Sequence, residues 1–204
     1  MGLYGEHILP RLMARSMEAE EIAPLRRRLC AGLSGRVLEL GFGSGANIRH
    51  YPEAVDSVWA VEPSDTAWRL AADKIAASRV RIQRGGLDGQ RLDAPAAAFD
   101  HALSSLTLCT IPDAAAALAE VRRVLAPGGT LHFLEHGLAP DEGVRVWQRR
   151  LDPIQRSLAG GCRLSRDIRE LIEAAGFGIV EAESFYQPPL PRPYGYVTVG
   201  VAAA

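Results

Sequence analysis

The chain is 204 residues long and 48% hydrophobic, with a net charge of −1 and a pI near 6.5. That length suits one globular domain with a full core, and the charge balance offers no basic field for nucleic acid and no like-charged tail. Cys30, Cys109 and Cys162 are odd in number and widely spaced, which argues against a disulfide framework or a zinc site.

In chain order, Met1 to Glu6 lacks the apolar stretch of a signal peptide, and no later run approaches the length of a membrane span. The expectation is a cytoplasmic domain over 1–204, with leading helices in 1–33, a core in 34–204 and no integral membrane segment. Apolar stripes predict helices over Glu6–Met17 (Ile8, Leu9, Leu12, Met13) and Glu20–Ala31 (Ile22, Leu25, Leu29). Val37–Leu40 then reads as a buried strand that breaks into Gly41, Gly43 and Gly45 ahead of a polar helix start. Glycine lets backbone N–H groups approach a ligand closely, and a helix N-terminus adds unpaired donors, so a polar, nucleotide-like ligand is the expected guest. The turn lacks the Gly-Lys-Ser/Thr of a phosphate-cradling loop. Glu39, inside the strand, requires a cation or donors to face.

Ala46–His50 is predicted as a short helix stopped by Tyr51-Pro52, and Val55–Val61 as a second strand. Glu62, at the end of that strand, has about the spacing at which an acid reaches ribose hydroxyls in a doubly wound sheet. Ser64 caps a helix running to about Ser78, Val80–Gln83 is a short third strand, and Gly85–Leu92 is read as irregular because of its glycines. Phe99–Ser105 is a fourth strand ending in Ser104 and Ser105, at the sheet edge where open α/β sheets bind ligands. A helix over Asp113–Leu125 closes on Pro127-Gly128-Gly129, and Thr130–His136 follows as a fifth strand. Helices are predicted over Asp141–Leu158 and from a Ser165 cap to Ala175, then strands over Ile179–Phe185 and Tyr196–Val201. With no helix between them, these two pair as a hairpin and the last strand runs antiparallel. His132 and His136 cannot share a metal, being ~13 Å apart along a strand.

In this order and spacing, Glu39-Leu40-Gly41-Phe42-Gly43-Ser44-Gly45, Val61-Glu62-Pro63-Ser64, Phe99-Asp100 and Leu125-Ala126-Pro127-Gly128-Gly129 resemble the signature of class I S-adenosylmethionine-dependent methyltransferases. Leu108-Cys109-Thr110-Ile111, Glu135-His136-Gly137, Leu151-Asp152-Pro153 and Gly161-Cys162-Arg163-Leu164 are similar to the thiol S-methyltransferase group among them. The resemblance implies an α/β, Rossmann-like seven-stranded sheet with an antiparallel last strand, helices on both faces and extra N-terminal helices. It implies S-adenosylmethionine as cofactor, held by Glu39, Gly41, Gly43, Gly45, Glu62, Pro63, Ser104 and an adenine loop at Asp88 and Gly89. Leading helices of such enzymes roof the substrate pocket, which places Tyr4 and Met13 at its wall, with Ser105 and Cys162 lining it; His136, which ends the fifth strand at the ligand-bearing edge, is the candidate catalytic residue, as base or as orienting group. The expected partner is a small-molecule substrate, in a monomer or homodimer. Two other readings stay open: an O-, N- or C-methyltransferase on a lipid, quinone or natural product, and an NAD-dependent oxidoreductase, since Gly41-x-Gly43-x-x-Ala46 also fits the dinucleotide pattern.

Overall fold

The computed structural model describes residues 4–17 and 19–204; the N-terminal reading at Met1–Leu3 lies outside the described residues. A wide turn of π type, Tyr4–Ile8, leads into α1 (Leu9–Met17) and α2 (Ala23–Cys30). The core follows as β1 (Gly35–Leu40), β2 (Val55–Val61), α3 (Asp65–Leu70), α4 (Ala72–Ala76), β3 (Arg81–Gly86), β4 (Phe99–Ser105) and α5 (Ala114–Val124). Then come β5 (Leu125–His136), α6 (Glu142–Leu158), α7 (Ile168–Ala174), β6 (Gly178–Tyr186), α8 (Arg192–Gly195) and β7 (Tyr196–Ala203).

The seven strands form one sheet in the order β3-β2-β1-β4-β5-β7-β6. β1 to β5 pair in parallel, whereas β7 inserts between β5 and β6 and runs antiparallel to both. Between β1 and β4 the chain order reverses, and the crevice outside their carboxyl ends is where an open sheet of this kind receives a ligand. The second halves of β1 and β4 are buried on both faces, polar Glu39, Ser104 and Ser105 included. One face carries Leu38, Leu40, Leu131 and Phe133 against α5 and α7. The other carries Val37, Val58, Leu103 and Leu134 against Leu29 and Cys30 of α2.

Several boundaries differ from the sequence-based expectation for physical reasons. Only a single 3-10 turn, Ile48–His50, forms where a helix was predicted over 46–50. Gly85 and Gly86 lie in β3, not in an irregular loop, because the Trp59 indole crosses the strand there: a Cβ on Gly85 would sit 1.6 Å from Trp59 Nε1. The helix after Gly161 is capped by Asp167, which accepts from the Glu170 amide at 3.1 Å, and not by Ser165, whose hydroxyl donates to Asp152. β5 starts at Leu125, and the Pro-Gly-Gly segment is accommodated as a register shift against Phe99–His101.

Candidate functional site

The glycine turn leaves β1 with three different demands on its glycines. Gly41 has φ +66°, and a Cβ there would collide with the Thr107 side chain at 2.0 Å. Gly45 turns away from the crevice, toward Ile48 and Ala71. Gly43, at φ +59°, has only the Gly41 carbonyl near its missing Cβ, at 3.9 Å, so its open side faces a cavity.

That cavity, of about 230 Å³, is bounded by Gly41, Gly43, Glu62, Ser64 and Ser105 on the sheet side and by Leu9, Met13 and Met17 of α1 opposite. A neighbouring cavity of about 490 Å³ shares Gly5 and Ser64 with it and is lined by Pro63, Asp65 and Arg69. Together they are of the size in which small ligands are held. Glu62 ties the two strand ends: it accepts from the Gly43 amide at 2.7 Å with one oxygen and from the Ser64 amide at 2.7 Å with the other. Burial pushes its carboxyl pKa up, against the pull of those two amides and of Arg84. Arg84 also donates twice to the Glu62 carbonyl, at 3.0 and 2.7 Å. Each carboxylate oxygen keeps acceptor capacity beyond its one amide, which is what a pair of vicinal hydroxyls would use.

Beneath the turn lies a buried polar network that the sequence did not announce. Glu39 is 1% exposed, and its oxygens accept from Asn47 Nδ2 at 2.9 Å and from the Tyr51 hydroxyl. Burial raises its pKa to about 7, although Tyr51, Asn47 and Arg26 all favour the charged form. Arg26, on α2, donates to Asn47 Oδ1 at 2.6 Å and to Ser105 Oγ at 2.8 Å, which links the leading helices to the turn and to β4.

The loop after β4 forms the remaining wall. Leu106 sits at φ +54°, a conformation costly for a residue with a Cβ, and its amide donates to the Leu134 carbonyl at 2.7 Å. Glu135, fully buried at the end of β5, gathers four donors from this region: Ser104 Oγ at 2.7 Å and the amides of Thr107, Leu108 and Cys109 at 3.0 to 3.2 Å. Arg166 donates to the carbonyls of Leu108 and Ile111.

Of the sequence-predicted site residues, Gly41, Gly43, Glu62, Met13 and Ser105 come together at the cavity. The others lie elsewhere in the structure. Glu39 and Ser104 face into the protein, toward Asn47 and Tyr51 in one case and Glu135 in the other. Gly45 turns its back on the cavity, and Pro63 lines the neighbouring one. Asp88 is exposed and accepts from its own turn at Gln90, at 2.9 and 3.0 Å, while Gly89 packs near Leu40 and Ile111. Tyr4 donates its hydroxyl to the Leu158 carbonyl at 2.9 Å, fastening the leading turn to the end of α6. Cys162 packs on Cys109, sulfur to sulfur 3.8 Å, away from the cavity. His136 does not line the cavity either. It alternates with Glu135 and points to the opposite face of β5, where burial lowers its pKa and a backbone hydrogen bond at Tyr194 opposes that shift. Its Nδ1 has no partner among the described residues. Arg26, Asn47, Tyr51 and Glu135 were missed as site-builders. Each acts through a partner at least eight residues away, and the buried carboxylate at Glu39 was the one signal that some such partners had to exist.

Residues 38–133 match the model of a family described as a methyltransferase domain. The chain is 32% identical over 209 residues to the thiol S-methyltransferase TMT1B of Rattus norvegicus, covering 97% of this chain and 82% of that protein. It is 32% identical to the thiol S-methyltransferase TMT1A of Homo sapiens, covering 87% and 79% respectively. The fold superposes on an S-adenosylmethionine-dependent methyltransferase from Mesorhizobium loti with a TM-score of 0.67 at 19% identity, covering 92% of this chain and 100% of that one.

Proposed function

The chain belongs to the class I S-adenosylmethionine-dependent methyltransferases, and on that premise we propose that it methylates the sulfur of a small or lipophilic thiol in the cavity between the glycine turn and α1. The observation that carries this reading is the match, along almost the whole chain, to relatives named thiol S-methyltransferases. The two-sided lining supports it: amides and a carboxylate on the sheet side, apolar side chains on the helix side.

The cofactor supplies a methyl group on a sulfonium, already activated for direct displacement. This chain's own residues then bind, align and exclude water, and alignment alone is worth ~7–11 kcal/mol. In this reading Gly43 leaves room for the cofactor, Glu62 accepts from its ribose hydroxyls, and Leu9, Met13 and Met17 wall off the acceptor. A free thiol has a pKa of roughly 8.5, so a modest shift produces thiolate. Arg26, a buried guanidinium on the cavity lining, favours that anion. No step is assigned to His136, since it lies off the cavity.

The test is transfer of a labelled methyl group into a panel of small and lipophilic thiols, phenols and amines. Thiols are expected to be methylated and the other acceptors much more slowly. Methylation of phenols or amines with no thiol turned over would overturn the acceptor while leaving the cofactor reading intact.

A further inference from the structure

The spacing of the three cysteines argues against a disulfide framework, yet the fold brings two of them together from 53 positions apart. Cys109, in the loop after β4, and Cys162, between α6 and α7, lie sulfur to sulfur at 3.8 Å as free thiols, in a small apolar cluster of their own with Leu164. Their backbones are already laced together. The Arg163 amide donates to the Cys109 carbonyl at 2.9 Å, and the Arg166 guanidinium donates to the carbonyls of Leu108 and Ile111. Gly161, at φ +98°, passes so near this loop that a Cβ there would meet the Thr110 carbonyl oxygen at 2.9 Å. A disulfide needs sulfurs ~2.05 Å apart, so the pair has less than ~2 Å to close while the segments that carry it stay in place.

The two thiols are unequal. Cys109 is 1% exposed and Cys162 6%, and Cys162 follows two glycines, Gly160 and Gly161, that both hold positive φ. Hydrogen bonding from the Cys109 thiol lowers the pKa of Cys162 against the effect of burial, and the Gln155 side chain adds a second donor. The same bond, together with burial, raises the pKa of Cys109. Cys162 is therefore the attacking sulfur and Cys109 the one that resolves what it forms. With hydrogen peroxide as oxidant, the Cys162 sulfur attacks one peroxide oxygen; an S–O bond forms, the O–O bond breaks, and the departing oxygen takes up the thiol proton and leaves as water. The Cys109 sulfur then attacks this sulfenic sulfur; the S–S bond forms, the S–O bond breaks, and the hydroxyl leaves with the Cys109 proton as a second water. The two thiols lose two electrons and the peroxide gains them. Two molecules of an external thiol reverse the step by exchange and leave as their own disulfide. Leu106 and Thr107 precede Cys109, Gly160 precedes Cys162, and all three line the cavity, so the bond would tie two stretches of its wall.

We infer that Cys109 and Cys162 form a reversible disulfide on exposure to hydrogen peroxide, latching the loop after β4 to the connection between α6 and α7 beside the cavity. The latch depends on neither the cofactor nor the acceptor, and its test uses the full chain without either. The reduced, folded protein is treated with hydrogen peroxide, denatured in N-ethylmaleimide and mapped by mass spectrometry. The expected result is a mass lower by ~2 Da before alkylation, a linked pair of peptides holding Cys109 and Cys162, and one alkylated thiol of the three. That thiol is Cys30, which belongs to another core cluster and whose pKa burial raises. The melting midpoint should rise by at least ~4 °C over the reduced form and fall back with dithiothreitol. Cys109→Ala should leave Cys162 as a sulfenic acid captured by dimedone, and Cys162→Ala should leave Cys109 a free thiol. The peptide map of the parent keeps the inference testable should either variant misfold. The inference is overturned by any of three outcomes: all three thiols stay alkylatable, Cys162 is carried to sulfinic acid with no linked peptide, or the linked protein melts where the reduced one does.

Discussion

The glycine turn and α1 face each other across one cavity and are built in opposite ways. The turn is wired by polar contacts: Glu62 holds the amides of Gly43 and Ser64, and Glu39, Asn47, Tyr51 and Arg26 interlock beneath it. Helix α1 has no buried residue among those described and offers apolar side chains to the cavity. A site for a fixed polar cofactor gains from donors and acceptors that need no rearrangement, whereas a wall for varied apolar acceptors gains from shape and area alone. The two halves should therefore fail separately, and substitutions can show whether they do.

The cofactor half should be struck hardest by Gly43→Val. A branched side chain at φ +59° is strained, and its methyl groups would occupy the open side of the turn. S-adenosylhomocysteine affinity should fall at least ~100-fold with the sheet intact by circular dichroism. Unchanged affinity would place the cofactor elsewhere.

Next comes Glu135→Ala, which strikes the wall between the halves. It strips one hydroxyl and three amides, two of them buried, of their acceptor, and should cost about 3–5 kcal/mol in urea unfolding. A loss below 1 kcal/mol would show that water replaces the carboxylate.

Glu62→Ala should weaken cofactor binding by ~2–4 kcal/mol, through the ribose contacts and the released Gly43 amide. A deoxygenated-ribose analogue separates the two causes. Should parent and variant prefer the natural ribose equally, Glu62 would act only by holding the turn.

An effect of comparable size follows from pH. Glu39 has its pKa raised from 4.5 to about 7 in the folded protein, so the native state binds its proton more tightly than the unfolded chain does. The cost of keeping it charged is absent below pH 4.5, grows through the interval and is complete above about 7, where it is on the order of 3 kcal/mol. Glu39→Gln can keep both hydrogen bonds, with Tyr51 reversing its role as donor. Its stability relative to the parent should therefore be highest at pH 8 and decline toward pH 5. A difference independent of pH would mean that Glu39 titrates normally.

The strands that position the cofactor half were legible because they obey local rules. Val55–Val61 and Phe99–Ser105 are short segments bounded by turns and match the observed strands residue for residue. The glycine turn and Glu62 were legible as a motif, although the distinct tasks of Gly41, Gly43 and Gly45 were not, since those depend on Thr107, the cavity and Ile48. Other failures share one cause, a partner distant in sequence. Gly85 continues a strand because Trp59 covers it, and Ser104 turns inward because Glu135 waits there. Strand alternation put His136 opposite Glu135, but which face opens onto the cavity is set by how α1 and the loop at Leu106 close it, and that is a tertiary outcome. Met13 lines the cavity, as its place on the leading stripe suggested, whereas Tyr4 does not, because its hydroxyl bonds the Leu158 carbonyl.

The separation of the two halves is tested most directly by measuring S-adenosylhomocysteine affinity and thiol KM on Glu62→Ala and Met13→Ala side by side. Glu62→Ala should lose cofactor affinity by roughly 30-fold or more with thiol KM changed less than about threefold, and Met13→Ala should raise thiol KM about 5- to 30-fold, for ~1–2 kcal/mol of lost apolar contact, with cofactor affinity unchanged. If both substitutions moved both quantities together, the cavity would be one coupled site and the division into a polar cofactor half and an apolar acceptor half would be contradicted.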